Sequence, residues 1–121
     1  MPRSRFAGLC LAATLIALPF AAAGQQKGGS DSEGDGGNAR RGRRIFFTTA
    51  ACSGCHRVHG RGGVTAPDLS EIGATREEAY IAAKMYNPRL GNPQTIMPSA
   101  GDLGLNDNDV ADVATFLAGL K

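Results

Sequence analysis

The chain has 121 residues, enough for one domain with flanking tails. Its 13 Lys and Arg residues nearly balance 11 Asp and Glu residues, which gives a formal net charge of +2. This composition lacks the strongly basic character of proteins that bind nucleic acid, so we expect no nucleic-acid partner.

The N-terminus carries basic, apolar and small residues in that order. Arg3 and Arg5 precede an apolar run at 6–20, and three alanines follow at 21–23. This order is typical of a secretory signal peptide, and the run is shorter than the roughly 20 residues of a membrane span. We predict a signal peptide over residues 1–23 and an exported protein. An uncleaved N-terminal membrane anchor is the alternative.

The next segment, residues 24–38, reads GQQKGGSDSEGDGGN and contains no apolar side chain. It cannot bury enough surface to offset the entropy of ordering, so we predict a flexible Gly/Ser-rich linker. Residues 39–121 then form the predicted domain. It is small and has no Trp, so its core is thin and we expect a bound group to fill the interior.

The first predicted helix begins after Asn38, a favourable N-cap residue. Its apolar face includes Ile45 and Phe46, and Gly42 lies one turn before Phe46 on the same face.

The second predicted helix follows the sequence TREE at 75–78, which matches a capping box with Thr75 as the N-cap. It should end before the Asn-Pro pair at 87–88. Its predicted apolar stripe comprises Ala79, Ala83 and Tyr86. Tyr80 and Tyr86 are both expected in the core.

The last predicted helix starts at Asn106, with Asp109 three residues later as the other half of a capping box. Apolar residues recur at helical spacing along it, at Val110, Val113, Ala114 and Leu117. Long Gly/Pro loops at 60–68 and 88–104 separate the helices, and we find no alternating strand. The predicted fold class is therefore all-α.

The sequence CSGCH places Cys52, Cys55 and His56 within five residues. A disulfide would close a very small loop and stabilise little. A thioredoxin-like redox pair needs a βαβ context, and a structural zinc site needs a fourth ligand that only the crowded His59 could supply. The fourth interpretation, which we favour, is covalent attachment of haem, for which Cys-x-x-Cys-His is a known pattern.

These motifs together resemble the class I c-type cytochromes. The resemblance covers residues 39–121 and rests on GRRIF, CSGCH, APDL, IMP and LNDNDVADVATFLAGL, in that order. It implies the cytochrome c fold, with three to four helices wrapped around one covalently bound haem. The chain is also similar to small haem domains associated with bacterial periplasmic dehydrogenases, which implies a periplasmic location.

The resemblance assigns five residues to the haem. Cys52 and Cys55 would form thioethers, and His56 would be the proximal iron ligand. The carbonyl of Pro67 would accept a hydrogen bond from the His56 ring, and Met97 would be the distal ligand. Gly42 and Phe116 match the contact at which the first and last helices cross. Phe47 can share the packing role expected of Phe46.

Met97 has a chemical argument of its own. A neutral thioether favours Fe(II) more than a second histidine does, so His/Met ligation raises the reduction potential. Met85, the alternative, reads as a core residue in a helix. His59 is tied to the proximal side and is expected to be a surface histidine.

Several arginines lie where they could bind a partner or the haem propionates. Four lie in the first predicted helix, at Arg40, Arg41, Arg43 and Arg44. A solvated face is the simplest interpretation, and docking to an acidic partner or an anionic lipid surface is the alternative. Arg61 and Arg89 lie in loops that could pair with haem propionates. In the GRGG sequence at 60–63, glycines would let the backbone approach the haem.

The expected function is transfer of one electron by a periplasmic carrier that is not itself an enzyme. Its partners would be redox proteins such as a dehydrogenase, an oxidase or another cytochrome. One alternative is a haem-bearing subunit of a periplasmic dehydrogenase or oxidase, tethered through residues 24–38. Another is a haem-based sensor or peroxidase in which the Met97 bond opens.

Overall fold

The computed structural model of the protein describes residues 36–121, so the predicted signal peptide and most of the predicted linker lie outside the described residues. Three α-helices form its frame, supplemented by two-residue strands and short turns. The helices are α1 (Ala39–Arg44), α2 (Glu78–Tyr86) and α3 (Asp107–Ala118). The strands are β1 (Arg57–Val58) and β2 (Arg61–Gly62). A π-helical turn spans Ile45–Thr49, and 3₁₀ turns span Cys52–Gly54 and Ile72–Ala74.

The start of α1 is as predicted. The side-chain oxygen of Asn38 accepts a hydrogen bond of 2.9 Å from the backbone N–H of Arg41, which caps the helix. The helix continues into the π-helical turn, where Ile45 and Phe46 are buried. The helical turn is thus wider than in an α-helix at the point where the two large apolar side chains, Ile45 and Phe46, enter the core.

The start of α2 was predicted wrongly. The Thr75 hydroxyl donates to the Ile72 carbonyl at the end of a 3₁₀ turn, and the helix begins two residues later than expected, with Glu77 in the N-cap position and no side-chain cap. The buried face is therefore rotated. Its buried residues are Ile81 and Met85, whereas Ala79, Ala83 and Tyr86 are exposed.

Tyr80 and Tyr86 are also not core residues, since 39% and 50% of their surfaces are exposed. The Arg76 guanidinium lies 4.9 Å from the centre of the Tyr80 ring. The Tyr86 hydroxyl donates a 2.7 Å hydrogen bond to Asp107 and ties the end of α2 to the start of α3. This hydrogen bond raises the pKa of the Tyr86 phenol.

The prediction for α3 is confirmed. Asn106 and Asp109 form a reciprocal capping box, with both hydrogen bonds at 3.0 Å. All four residues of the predicted stripe are buried, namely Val110, Val113, Ala114 and Leu117. The long segment 88–104 contains no helix or strand, as expected.

One local element was not anticipated. β1 and β2 form an antiparallel hairpin in which Arg57 pairs with Gly62 and Val58 with Arg61. Its two-residue turn has positive φ at His59 (47°) and Gly60 (78°), the conformation that a tight hairpin turn requires. The hairpin is too short for alternation to show in the sequence, and the domain remains all-α.

Helices α1 and α3 cross at Gly42. A Cβ atom at Gly42 would lie 1.9 Å from the carbonyl oxygen of Asp112 and 2.8 Å from the Val113 nitrogen, so the two backbones touch. One turn further along α3, the Phe116 ring packs on Phe46 with centroids 5.9 Å apart. The crossing predicted from Gly42 and Phe116 is thus present, with Gly42 against the α3 backbone.

A cluster of ion pairs also joins α1 to α3 near this crossing. The Arg41 guanidinium pairs with Asp109 and Asp112 of α3. Asp112 is buried and also accepts a 2.6 Å hydrogen bond from the backbone N–H of Asn38. Gly37 lies equally close, because a Cβ there would meet the Ala111 carbonyl oxygen at 2.3 Å. The last residues of the predicted linker therefore contact the domain.

Gly42→Ala should destabilise the protein. Alanine favours a helix by about 1 kcal/mol over glycine, but the added methyl must push the two helices apart, with an overpacking cost of about 1–3 kcal/mol or more. We expect a lower midpoint in chemical unfolding of the haem-loaded protein. Gly101→Ala is the control, since its Cβ would meet only the Ser99 hydroxyl at 3.8 Å. Equal midpoints for the two variants would show that the helices are not in close contact.

Within residues 36–121, no helix is both long and apolar enough to cross a membrane.

Candidate cofactor site

The segment Cys52–His56 folds as a tight turn that follows π-helical backbone. Ala51 before it has φ of 51°, in the left-handed region, which redirects the chain. The backbone N–H groups of Cys55 and His56 both donate to the Cys52 carbonyl, at 3.2 and 3.0 Å. Cys52 and His56 are half-buried and Cys55 is exposed, and the two thiols are not joined to each other.

An apolar pocket that is open to solvent lies beside this turn. Its walls come from the turn, from α2, from α3 and from the long loop after α2. Lining residues include Cys52, His56, Met97, Phe46, Leu69, Val113 and Leu117. Burial in these surroundings raises the pKa of the Cys52 thiol. The pocket therefore suits a mainly apolar group that stays in partial contact with water.

The His56 ring has a fixed orientation. Its Nδ1 lies 2.8 Å from the carbonyl oxygen of Pro67. Because a carbonyl can only accept, Nδ1 carries the hydrogen and Nε2 keeps its lone pair free, as a metal-ligating imidazole requires. Pro67 is held in turn by hydrogen bonds on either side, from Ala66 N–H to the Cys55 carbonyl at 3.1 Å and from Leu69 N–H to the Arg57 carbonyl at 2.8 Å.

Two glycines of the GRGG sequence bring the hairpin against this turn. A Cβ at Gly62 would lie 2.2 Å from the His56 carbonyl oxygen, and one at Gly63 would lie 2.2 Å from the Gly54 carbonyl oxygen. The Gly63 N–H also donates to the Ser53 carbonyl at 2.8 Å. These two glycines thus permit a close approach to the backbone of the Cys52–His56 turn, and the approach of this segment to haem stays a prediction.

Met97 reaches the pocket from a loop that is held at both ends. At its start, Lys84 Nζ donates to the carbonyls of Pro88 and Leu90, both at 2.6 Å. Near its end, the Met97 N–H donates to the Thr95 hydroxyl at 3.2 Å. Just beyond Met97, the N–H of Ala100 donates to the Met85 carbonyl at 2.8 Å. The loop is therefore ordered by specific hydrogen bonds and carries Met97 to a defined place.

Both methionines of residues 36–121 line the pocket, but in different settings. Met85 is buried within α2 as part of the core cluster, with 6% of its surface exposed. Met97 is only half-buried and belongs to the loop. The setting of Met85 matches the core residue predicted for it.

The remaining candidates lie at the surface. His59 is exposed in the hairpin turn, and its backbone N–H donates to the Ser70 hydroxyl at 2.7 Å. Arg61 lies over the Phe47 ring, 4.6 Å from its centre. Arg89 is exposed in the loop after α2. In the part of the chain that the structure describes, no three His, Cys, Asp or Glu side chains converge as a metal site.

Sequence reasoning missed two supports of the site. Lys84 lies in the last turn of α2, where a cation suits the unpaired carbonyls, so the sequence did contain a signal for it. The pairing of Arg41 with Asp109 and Asp112 joins residues about 70 positions apart and has no local signature.

An all-α domain in which Cys-x-x-Cys-His borders an apolar pocket, with an oriented histidine and a methionine in its wall, defines a c-type haem protein. The family model for cytochrome c matches residues 39–121. The chain belongs to the cytochrome c family. It therefore has the cytochrome c fold and binds covalently attached haem c with its iron, and the pocket and the free His56 Nε2 fit that group.

A solved structure shows the same likeness. A chain of the crystal structure of SoxXA from P. pantotrophus is 26% identical in sequence, with a TM-score of 0.64. The similarity covers 73% of this chain and 85% of that one. No curated protein matches the chain significantly.

Proposed function

We propose that the protein is a carrier of single electrons whose haem iron is bound by His56 and Met97. Cys52 and Cys55 would hold the haem through thioethers. One observation supports this most strongly: Cys52, His56 and Met97 line the same apolar pocket, while Pro67 orients the His56 ring. A site that presents both a nitrogen and a sulfur donor would supply two protein ligands to a haem iron.

Haem c, when bound, supplies one-electron exchange between Fe(III) and Fe(II). The residues around it set how readily that exchange occurs. The Pro67 carbonyl fixes the His56 tautomer and increases the basicity of Nε2. The neutral Met97 thioether favours the reduced state, and the apolar walls disfavour the additional charge of the oxidised state. The hydrogen bonds of the Met97 loop would hold the sulfur in place, which would limit rearrangement on electron transfer.

The location, the tether and the class of partner are proposed from the sequence. Residues 1–23 would direct export to the periplasm, and residues 24–38, of which the last two contact the domain, would act as a tether between the domain and whatever the N-terminus reaches. The partners would be redox proteins that give and take one electron. The domain would serve them as a carrier, without an enzymatic activity of its own.

Carbon monoxide binding tests this proposal. With both axial positions filled, the reduced protein should show the α band of c-type haem and should bind carbon monoxide only slowly and weakly at neutral pH. The band should persist after acid-acetone extraction, since thioethers hold the haem. Rapid, stoichiometric binding to the reduced wild type would contradict the carrier and favour the sensor or peroxidase alternative.

A further inference from the structure

A basic and aromatic surface is formed by α1, the π-helical turn after it and β2. Its residues do not line the pocket described above. Arg43 on α1 and Arg61 on β2 both lie over the ring of Phe47, with guanidinium carbons 5.8 and 4.6 Å from its centre. Both arginines are exposed, and Phe47 is half-buried between them. We call these three residues the Arg-Phe-Arg surface.

No neighbouring carboxylate within residues 36–121 neutralises the charge of this surface. Within residues 36–121, both ion pairs belong to Arg41, so no carboxylate in that part of the chain pairs with Arg43 or Arg61. Arg40 and Arg44 are exposed on the same short helix and add to the positive potential. Such a cluster attracts anionic groups and accelerates their approach.

The surface is separated from the pocket by one aromatic ring. Phe47 packs edge-to-face on Phe46, with centroids 5.0 Å apart and planes at 77°. Phe46 is almost fully buried and lines the pocket. The Ser53 hydroxyl, inside the Cys-x-x-Cys segment, donates to the Phe47 carbonyl at 3.4 Å. A molecule seated on Phe47 would therefore lie close to the cofactor.

We propose that the Arg-Phe-Arg surface docks a redox protein that presents a cluster of carboxylates. This inference rests on the proposed function, because it names the partner of the electron-transfer site. An anionic membrane would satisfy the charge but could not exchange the electron. The short aromatic contact to the pocket is what favours a redox protein.

Oxidation of the reduced, haem-loaded protein by ferricyanide tests the surface. One electron passes to ferricyanide, which becomes ferrocyanide, and no bond forms and no proton moves. In Arg43→Gln/Arg61→Gln, we expect the rate at low salt to fall roughly three- to tenfold because attraction of the anion is lost. The difference should vanish near 1 M salt, where the Debye length is about 3 Å. Poly-L-glutamate should slow the wild type and have little effect on this variant.

The control is Arg76→Gln/Lys121→Gln, which removes the same charge from exposed positions, one of them an arginine that also lies over an aromatic ring. Equal slowing in both double variants would mean that only net charge matters and would overturn the proposal. So would binding of the wild type, but not of Arg43→Gln/Arg61→Gln, to phosphatidylglycerol vesicles with unchanged ferricyanide rates.

The proposed function can fail separately from this inference. The near-infrared band of ferric His/Met haem is recorded first in the wild type. Its absence there would contradict the proposed ligation. An intact band combined with equal ferricyanide rates would contradict the docking surface alone.

Discussion

Cys52→Ala/Cys55→Ala, which cannot attach haem, is expected to lose its cooperative fold. The variant should show weak helical circular dichroism and no cooperative unfolding transition in urea. Domains of this size have a total stability on the order of 10 kcal/mol or less, so loss of a large part of the interior leaves no margin.

The buried residues give the physical reason for this expectation. Within residues 36–121, large fully buried side chains are few, namely Phe46, Val110 and Val113, and three further core residues are alanines, Ala50, Ala100 and Ala114. Several core residues also form the walls of the pocket, namely Phe46, Val113 and Leu117. Without a group in the pocket, these side chains would face water or would have to collapse onto one another.

The measurement is circular dichroism and urea unfolding of the wild type and of Cys52→Ala/Cys55→Ala, both made in the same export system. Cys10→Ser is the matched control, because it removes a thiol from the predicted signal peptide and should leave the domain unaffected. Native-like helicity with a sharp transition in the double variant would show that the polypeptide core is sufficient by itself.

The parts of the fold that sequence analysis predicted correctly are those with a complete local signal. Asn106 and Asp109 form a capping box next to an apolar stripe of regular spacing, and α3 follows them closely. Asn38 likewise specifies the start of α1. In both helices the residues that contact each other are three positions apart, so the pattern alone contains the information.

The start of α2 shows how a similar local pattern can mislead. Thr75 could cap a helix, but the backbone there is already used by the 3₁₀ turn at Ile72–Ala74. That turn is held from outside, because the Gly73 N–H donates to the Leu120 carbonyl at 2.8 Å. A tertiary contact with the C-terminus therefore overrides the local preference of TREE, and no property of residues 75–78 reveals it.

The predicted site rests on a short local motif and on two more distant residues. Cys52, Cys55 and His56 lie within five residues, the spacing that covalent attachment of haem by them would require. The hydrogen bond from His56 to Pro67 spans eleven residues and was implied by family resemblance, and the structure contains it at 2.8 Å. The assignment of Met97 over Met85 stays a prediction, because both side chains line the pocket.

Replacing the two methionines separately should give opposite results. Met97→Ala is expected to abolish the near-infrared band of the ferric protein, to lower the reduction potential and to allow rapid carbon monoxide binding in the reduced state. The open axial position then takes water or an external ligand in place of a thioether that favoured Fe(II). The loss of packing should be modest, because Met97 is only half-buried and Lys84, Thr95 and Ala100 hold its loop independently of the side chain.

Met85→Ala should do the reverse. It removes a buried side chain from the core and should lower the free energy of unfolding by about 2–5 kcal/mol. The near-infrared band and the slow carbon monoxide binding should remain, because the sulfur of Met97 is untouched. If the band instead persisted in Met97→Ala and disappeared in Met85→Ala, the distal ligand would come from α2. The long loop after α2 would then shield the haem without binding it.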